Sequence, residues 1–150
     1  MSHAYHRLHY HLIFSTKHRE RRITTEIQAR LHAYLVGIVA NLGGVCHAVN
    51  GIDEHVHLLF YTPPKHALSD VIAAVKANSS KWVHETFAAS AGFAWQRGYG
   101  LFTVSESNVE AVKVYIGNQE EHHRRMTFQE EFVVLLEKHG ITYDPKYLWD

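Results

Sequence analysis

The sequence predicts an α+β fold: a ferredoxin-like (RRM-like) split β-α-β-β-α-β sandwich with additional C-terminal helices. Three observations predict it. An alternating segment near the start reads as a strand, two long stretches carry apolar residues at helical spacing, and short apolar runs sit between and after them. Taken in order, these elements reproduce the split βαβ arrangement.

Tyr5 to Thr16 alternates, with Leu8, Tyr10, Leu12 and Phe14 on one side and His9, His11 and Ile13 on the other. Lys17 to Arg22 is a charged turn. Thr24 or Thr25 then caps a helix to about Asn41, where Ile27, Leu31, Leu35, Ile38 and Leu42 lie near helical spacing and Gly43-Gly44 ends it. Val45 to Asn50 is a second strand, 51–54 a turn, and His55 to Thr62 a third strand stopped by Pro63-Pro64. Leu68 to about Phe87 is the second long helix, with Val71, Ile72, Val75, Trp82 and Val83 on its apolar face. A Gly- and Ala-rich loop anchored by Phe93 and Trp95 leads to a strand over Gly100 to Val104. Ser105 or Ser107 caps a third helix to about Arg125, with Glu110 matching Ser107 as a capping box. Thr127 to His139 is a short helix ended by Gly140, and an extended tail follows. No repeat or linker interrupts the 150 residues, so they form a single domain with its core over about 5–125 and a C-terminal helix and tail over 127–150.

The formal net charge is zero, which argues against coating nucleic acid by bulk electrostatics. Charge is nonetheless uneven: residues 1–30 hold six basic side chains against two acidic, and 110–150 hold five basic against eight acidic. A basic surface near the start, or an ordinary solvated turn and helix start, fits this bias. Cys46 is the only cysteine, so no intrachain disulfide forms. With no signal-like or membrane-spanning apolar stretch, the expected location is cytoplasmic and no membrane partner is expected.

The chain has 14 histidines, so proximity of two of them means little by itself. His55-Val56-His57 stands out by context. On a strand the two imidazoles share a face, with Cα atoms roughly 6.5–7 Å apart, close enough to share one metal ion. They follow an acidic turn and open a strand that continues Leu58-Leu59-Phe60. His9-Tyr10-His11 has the same spacing without that context, and a pair of partly exposed strand histidines is the plain alternative for either. Downstream, Tyr115 and Gln119 lie at i and i+4 of a helix, on one face at the edge of the stripe made by Val109, Val112 and Ile116. Read without the His pair, they are a core aromatic and a solvated amide. Read with it, they equip metal-assisted phosphoryl transfer through a tyrosyl intermediate. His122 and His123 follow one turn later, within reach of the site, with surface placement as the plain reading.

The segment from Tyr10 to Lys17 (YHLIFSTK), the segment from Asp53 to Leu59 (DEHVHLL) and Tyr115-x-x-x-Gln119 occur in an order that resembles the single-tyrosine HUH transposases of bacterial and archaeal insertion sequences. Lys76, Ser79, Ser80 and Lys81, and the segment Gly98 to Ser105, are similar to the same family, so the likeness spans about residues 5–125. Asp53-Glu54 departs from the family's turn, which often has Pro followed by Asp or Asn; the change is expected to matter little. The resemblance implies a Mg²⁺ or Mn²⁺ ion held by His55, His57 and Gln119, and Tyr115 as the nucleophile toward single-stranded DNA. The product is a 5′-phosphotyrosine and a free 3′-hydroxyl, formed at hairpin-bearing element ends. It also implies a homodimer in which the tyrosine helix completes the partner's site. Arg19, Arg21, Arg22, Lys76 and Lys81 are candidates for backbone phosphate contacts. Trp82, Trp95, Phe93 and Tyr99 are candidates for base stacking, with core packing as the plain alternative. Three competing functions remain: a domesticated relative acting on chromosomal hairpin repeats, a catalytically silent nucleic-acid-binding module, and a metal-dependent phosphoesterase without covalent chemistry.

Overall fold

A computed structural model describes residues 3–149. Its elements are β1 (His9–Ser15), α1 (Thr25–Asn41), β2 (Val45–Ile52), β3 (His55–Tyr61), α2 (Leu68–Thr86), β4 (Gly100–Val104), α3 (Val109–Gly117), α4 (Gln119–His122) and α5 (Phe128–Lys138). The strands form one antiparallel sheet in the order β2-β3-β1-β4, the order a split βαβ unit requires. No helix among the described residues is long and apolar enough to cross a membrane.

Strand alternation divides the sheet into two faces. Leu12, Phe14, Val56, Leu58 and Phe60 pack against Ile27, Leu31 and Leu35 of α1 and Val71, Ile72 and Val75 of α2. On the other face Ile13 and Phe102 pack against Phe128, Phe132, Leu135 and Leu136 of α5. Leu59 and Val104 meet Ile116 of α3 there. The sheet is therefore covered on both sides, which is why β3 is buried at every position from His55 to Phe60. Each large apolar side chain so buried contributes about 1.5–3 kcal/mol, and α5 brings four of them to the site-bearing face.

Three local expectations change. β1 begins at His9 rather than Tyr5, because residues 3–8 have no strand partner. The tyrosine helix is broken: α3 ends at Gly117, Asn118 leaves the helical region at φ −99° and ψ 22°, and α4 restarts at Gln119. Gly and Asn are both poor helix formers, and the Asn50 side chain on β2 donates to the freed carbonyls of Ile116 (3.0 Å) and Gly117 (3.3 Å). The capping box forms at Thr127 and Glu130, at the head of α5. At Ser107 and Glu110 a short 3₁₀ turn over Glu106–Asn108 intervenes, and Asn108 starts α3 without a side-chain cap.

The β2–β3 hairpin turns on Asp53-Glu54 alone, with Ile52 opposite His55 and Gly51 opposite Val56. A Cβ at Gly51 would lie 2.1 Å from the His55 carbonyl oxygen. Gly51→Ala is therefore expected to force the hairpin open and destabilise the fold by about 2–4 kcal/mol. Urea denaturation followed by circular dichroism checks this; a midpoint equal to that of the parent chain would contradict it.

Candidate active site

The hairpin geometry buries both histidines completely, His55 opposite Ser15 and His57 opposite Ile13. Their ring nitrogens are oriented from behind. His55 Nδ1 donates to Glu54 Oε1 at 2.7 Å, which leaves its Nε2 lone pair facing the site. His57 Nδ1 lies 2.7 Å from His11 Nε2, so these two rings share one hydrogen bond. Burial, reinforced by the neighbouring His57, lowers His11 to about 3. Burial likewise lowers His57 to about 4, against the raising effect of Glu131. Both rings are neutral near pH 7, the state a metal ligand needs. His11 thus has a role behind His57, while His9 of the same spacing turns to Glu106 at 2.5 Å.

Asn50 seats the end of α3 on the sheet, and the helix break then aims two side chains at the histidines. Gln119 is fully buried, with Oε1 2.9 Å from His55 Nε2 and 3.1 Å from His123 Nε2. The Tyr115 ring stands edge-on to His57, with centroids 5.8 Å apart. Its hydroxyl donates to Glu131. Burial first, then the Glu131 charge, holds the phenol protonated, well above the usual tyrosine range. Tyr115 and Gln119 thus face the His pair of the sheet on which their helix packs.

Two further residues, His123 and Glu131, stand at the centre of the site. His123, expected at the surface, has only 3% of its side chain exposed and lies 3.0 Å from Glu131 Oε1. Glu131 is 1% exposed, and the same oxygen is 3.1 Å from His57 Nε2 and 3.5 Å from His55 Nε2. Burial alone would raise its pKa, but bonds from His123 and His57 hold the carboxyl well below the usual range. The Glu131 bond likewise outweighs burial at His123 and raises that imidazole. The ligand atoms of His55, His57, His123 and Glu131 all lie within 4.8 Å of one another, a cluster able to hold a metal ion. A signal for Glu131 existed: it interrupts the apolar stripe of Phe128, Phe132, Leu135 and Leu136, where a charge needs a partner. The signal for His123 is its i+4 relation to Gln119.

The basic candidates separate. Arg19 and Arg21, with Arg124 and Arg125, line a cleft of about 410 Å³ that reaches His123 and Glu54. Arg19 also lies over the Trp149 ring, and Arg21 grips Asp53 through two bonds of 2.8 and 2.9 Å. Arg22 pairs with Glu20, and Lys81 lies 3.9 Å from Glu85 on the surface. Lys76 donates to the carbonyls of Gln96, Arg97 and Gly98, so its three N–H groups hold a loop and none remains for a phosphate. Of the aromatics, Phe93 and Trp95 are core, Trp95 donating to Ser79 Oγ at 2.9 Å. Trp82 stacks on Tyr34, and Tyr99 is exposed.

The family model for IS200-like transposases matches residues 4–119. The ISDra2 transposase TnpA of Deinococcus radiodurans is 29% identical over 117 residues, covering 75% of this chain and 84% of that protein. A crystal structure of a transposase from Deinococcus radiodurans superposes with a TM-score of 0.63 at 29% identity, covering 79% of this chain and 96% of that one. A REP-associated tyrosine transposase bound to a REP hairpin superposes with a TM-score of 0.58 at 15% identity, covering 82% of this chain and 74% of that one, a likeness of fold.

The departure at Asp53-Glu54 has a structural consequence, because Glu54 is the group that orients His55. Glu54→Gln should reduce affinity for Mn²⁺ about 10–100-fold, the usual effect of losing a carboxylate behind a ligating imidazole. Isothermal titration measures it; unchanged affinity would show that His55 needs no such support.

Proposed function

The chain belongs to the IS200-like transposase family, and from that membership we propose that it cleaves and rejoins single-stranded DNA through a tyrosyl–phosphate intermediate. The carrying observation is the meeting of Tyr115, Gln119 and the buried pair His55 and His57 in one site. The Tyr115 oxygen attacks phosphorus, the bond from phosphorus to the 3′-oxygen breaks, and that oxygen leaves as a 3′-hydroxyl with a proton. The protein keeps the 5′-phosphate. Another 3′-hydroxyl reverses the exchange, and one phosphodiester replaces another without ATP.

His55, His57 and Gln119 would hold Mg²⁺ or Mn²⁺, which on binding neutralises charge on the phosphate and polarises it for attack. The site's own residues supply the rest. Glu54 and His11 hold the two rings in register, Asn50 seats the tyrosine helix, and α5 lays Phe128 against the His55 ring. Arg19 and Arg21, beside Arg124 and Arg125 in the adjoining cleft, are suited to the strand's phosphates. Arg22 and Lys81, on exposed surface, are assigned weaker contacts with the same backbone.

A hairpin-bearing element end is the substrate proposed, in keeping with the family and with a structural neighbour that was solved on a hairpin. The same chemistry would serve a domesticated relative acting on chromosomal hairpin repeats. A homodimer that exchanges tyrosine helices would keep the same set of residues, with the Asn50 and Ile116 contacts formed between chains instead of within one. The working site is proposed within one chain, where Tyr115 and Gln119 meet the His pair of their own sheet.

With labelled single-stranded DNA and Mn²⁺, the protein should form a covalent adduct that survives a denaturing gel. Tyr115→Phe should abolish the adduct while retaining DNA binding, because only the attacking oxygen is removed. Cleavage that persists without an adduct would mean hydrolysis by another nucleophile.

A further inference from the structure

The matched family region ends at residue 119, yet the site continues beyond it into α5. We propose that Glu131 is a further ligand of the metal and, through its second oxygen, the anchor of the Tyr115 hydroxyl. The C-terminal helix is then part of the catalytic machinery of this chain rather than packing alone. The inference rests on the reading of His55 and His57 as metal ligands.

The two carboxylate oxygens divide the work. Oε1 faces three imidazole nitrogens: His57 Nε2 at 3.1 Å, His123 Nε2 at 3.0 Å and His55 Nε2 at 3.5 Å. Oε2 faces the other way, accepting from Tyr115 and lying 3.3 Å from Gln119 Nε2 and 3.3 Å from His122 Nε2. Neighbouring ligands of a six-coordinate cation with bonds near 2.1 Å sit about 3 Å apart. The separations around Oε1 match that spacing, as does the 2.9 Å between His55 Nε2 and Gln119 Oε1.

The chemistry of the cation points the same way. Mg²⁺ and Mn²⁺ prefer oxygen, and two imidazoles with one amide oxygen form a nitrogen-rich, uncharged set. Glu131 adds the anionic oxygen that set lacks. A packing role alone gives no reason for a carboxylate here. Its flanking stripe residues are Phe128, Phe132, Leu135 and Leu136, and an apolar side chain would complete them without the desolvation cost of a charge. Linked to both groups, the carboxylate ties the position of the nucleophile to occupancy of the metal site, and a difference in α5 position would be felt at the phenol.

The test is Mn²⁺ titration of the full chain without DNA, followed calorimetrically, with adduct formation measured separately. Glu131→Gln should weaken Mn²⁺ binding on the order of 100-fold with an unchanged far-ultraviolet spectrum, and Glu131→Asp should recover part of the loss. Should the Gln variant fail to fold, Glu131→Asp carries the test by itself. It keeps the charge but withdraws the oxygen, so its affinity should fall below that of the parent. Unchanged Mn²⁺ affinity in the folded variant would overturn the proposal. So would a rise in affinity or in adduct yield, which would make Glu131 a plug that competes with substrate. His57→Ala separates this inference from the reading beneath it. If His57→Ala loses Mn²⁺ binding and Glu131→Gln does not, only the role of Glu131 fails. If neither loses it, the metal site itself is wrong.

Discussion

A carboxylate buried in a protein interior is unstable unless something compensates it, because moving a charge out of water costs several kcal/mol. Glu131 is such a group, and its surroundings are organised around its two oxygens: three imidazoles on one, a phenol and an amide on the other. Those partners come from β3, α3, α4 and the turn after α4, while the carboxylate comes from α5. Satisfying it draws three separated parts of the chain, β3, the stretch from Tyr115 to His123, and α5, onto one face of the sheet. The apolar contacts of α5 with Ile13 and Phe102 provide the energy that holds it there.

The sheet makes this convergence geometrically possible. Alternation sends Val56, Leu58 and Phe60 to the α1–α2 face and leaves His55, His57 and Leu59 on the other. Antiparallel pairing then sets His57 opposite both Ile13 and Asn50. Asn50 fixes the last turn of α3, and the break at Gly117-Asn118 lets Gln119 restart a short helix pointed at His55. An unbroken helix would also put Tyr115 and Gln119 on one side. The break adds His123, which α4 carries into contact with both Gln119 and Glu131.

Much of this was readable from the chain. Alternation in 5–16, helical spacing from Thr25 to about Asn41 and from Leu68 to about Phe87, and the His-x-His strand define the order of elements along the chain, since each follows from a local period. The helix break was not legible as such, because Gly117 and Asn118 are tolerated within helices and only the Asn50 contact, 66 positions distant, makes the interruption favourable. Glu131 and His123 were missed for a related reason. Their roles depend on α5 folding back over the sheet, and that is a tertiary fact even though a charge within an apolar stripe hints at it. Lys76 shows the opposite error: a basic residue in the right helix, consumed by three backbone carbonyls that no spacing rule reveals. Glu54, by position an ordinary turn residue, is what fixes His55.

In the proposed arrangement one chain assembles the whole site, with Tyr115 and Gln119 meeting the His pair of their own sheet. Complementation tests it most directly. Tyr115→Phe and His57→Ala chains, each inactive by itself, are mixed with labelled single-stranded DNA and Mn²⁺ beside an active parent chain as control. A site completed in cis predicts no covalent protein–DNA adduct in the mixture above that of either variant alone. Restored adduct in the mixture would mean that the tyrosine of one chain serves the histidines of another, and would contradict the account.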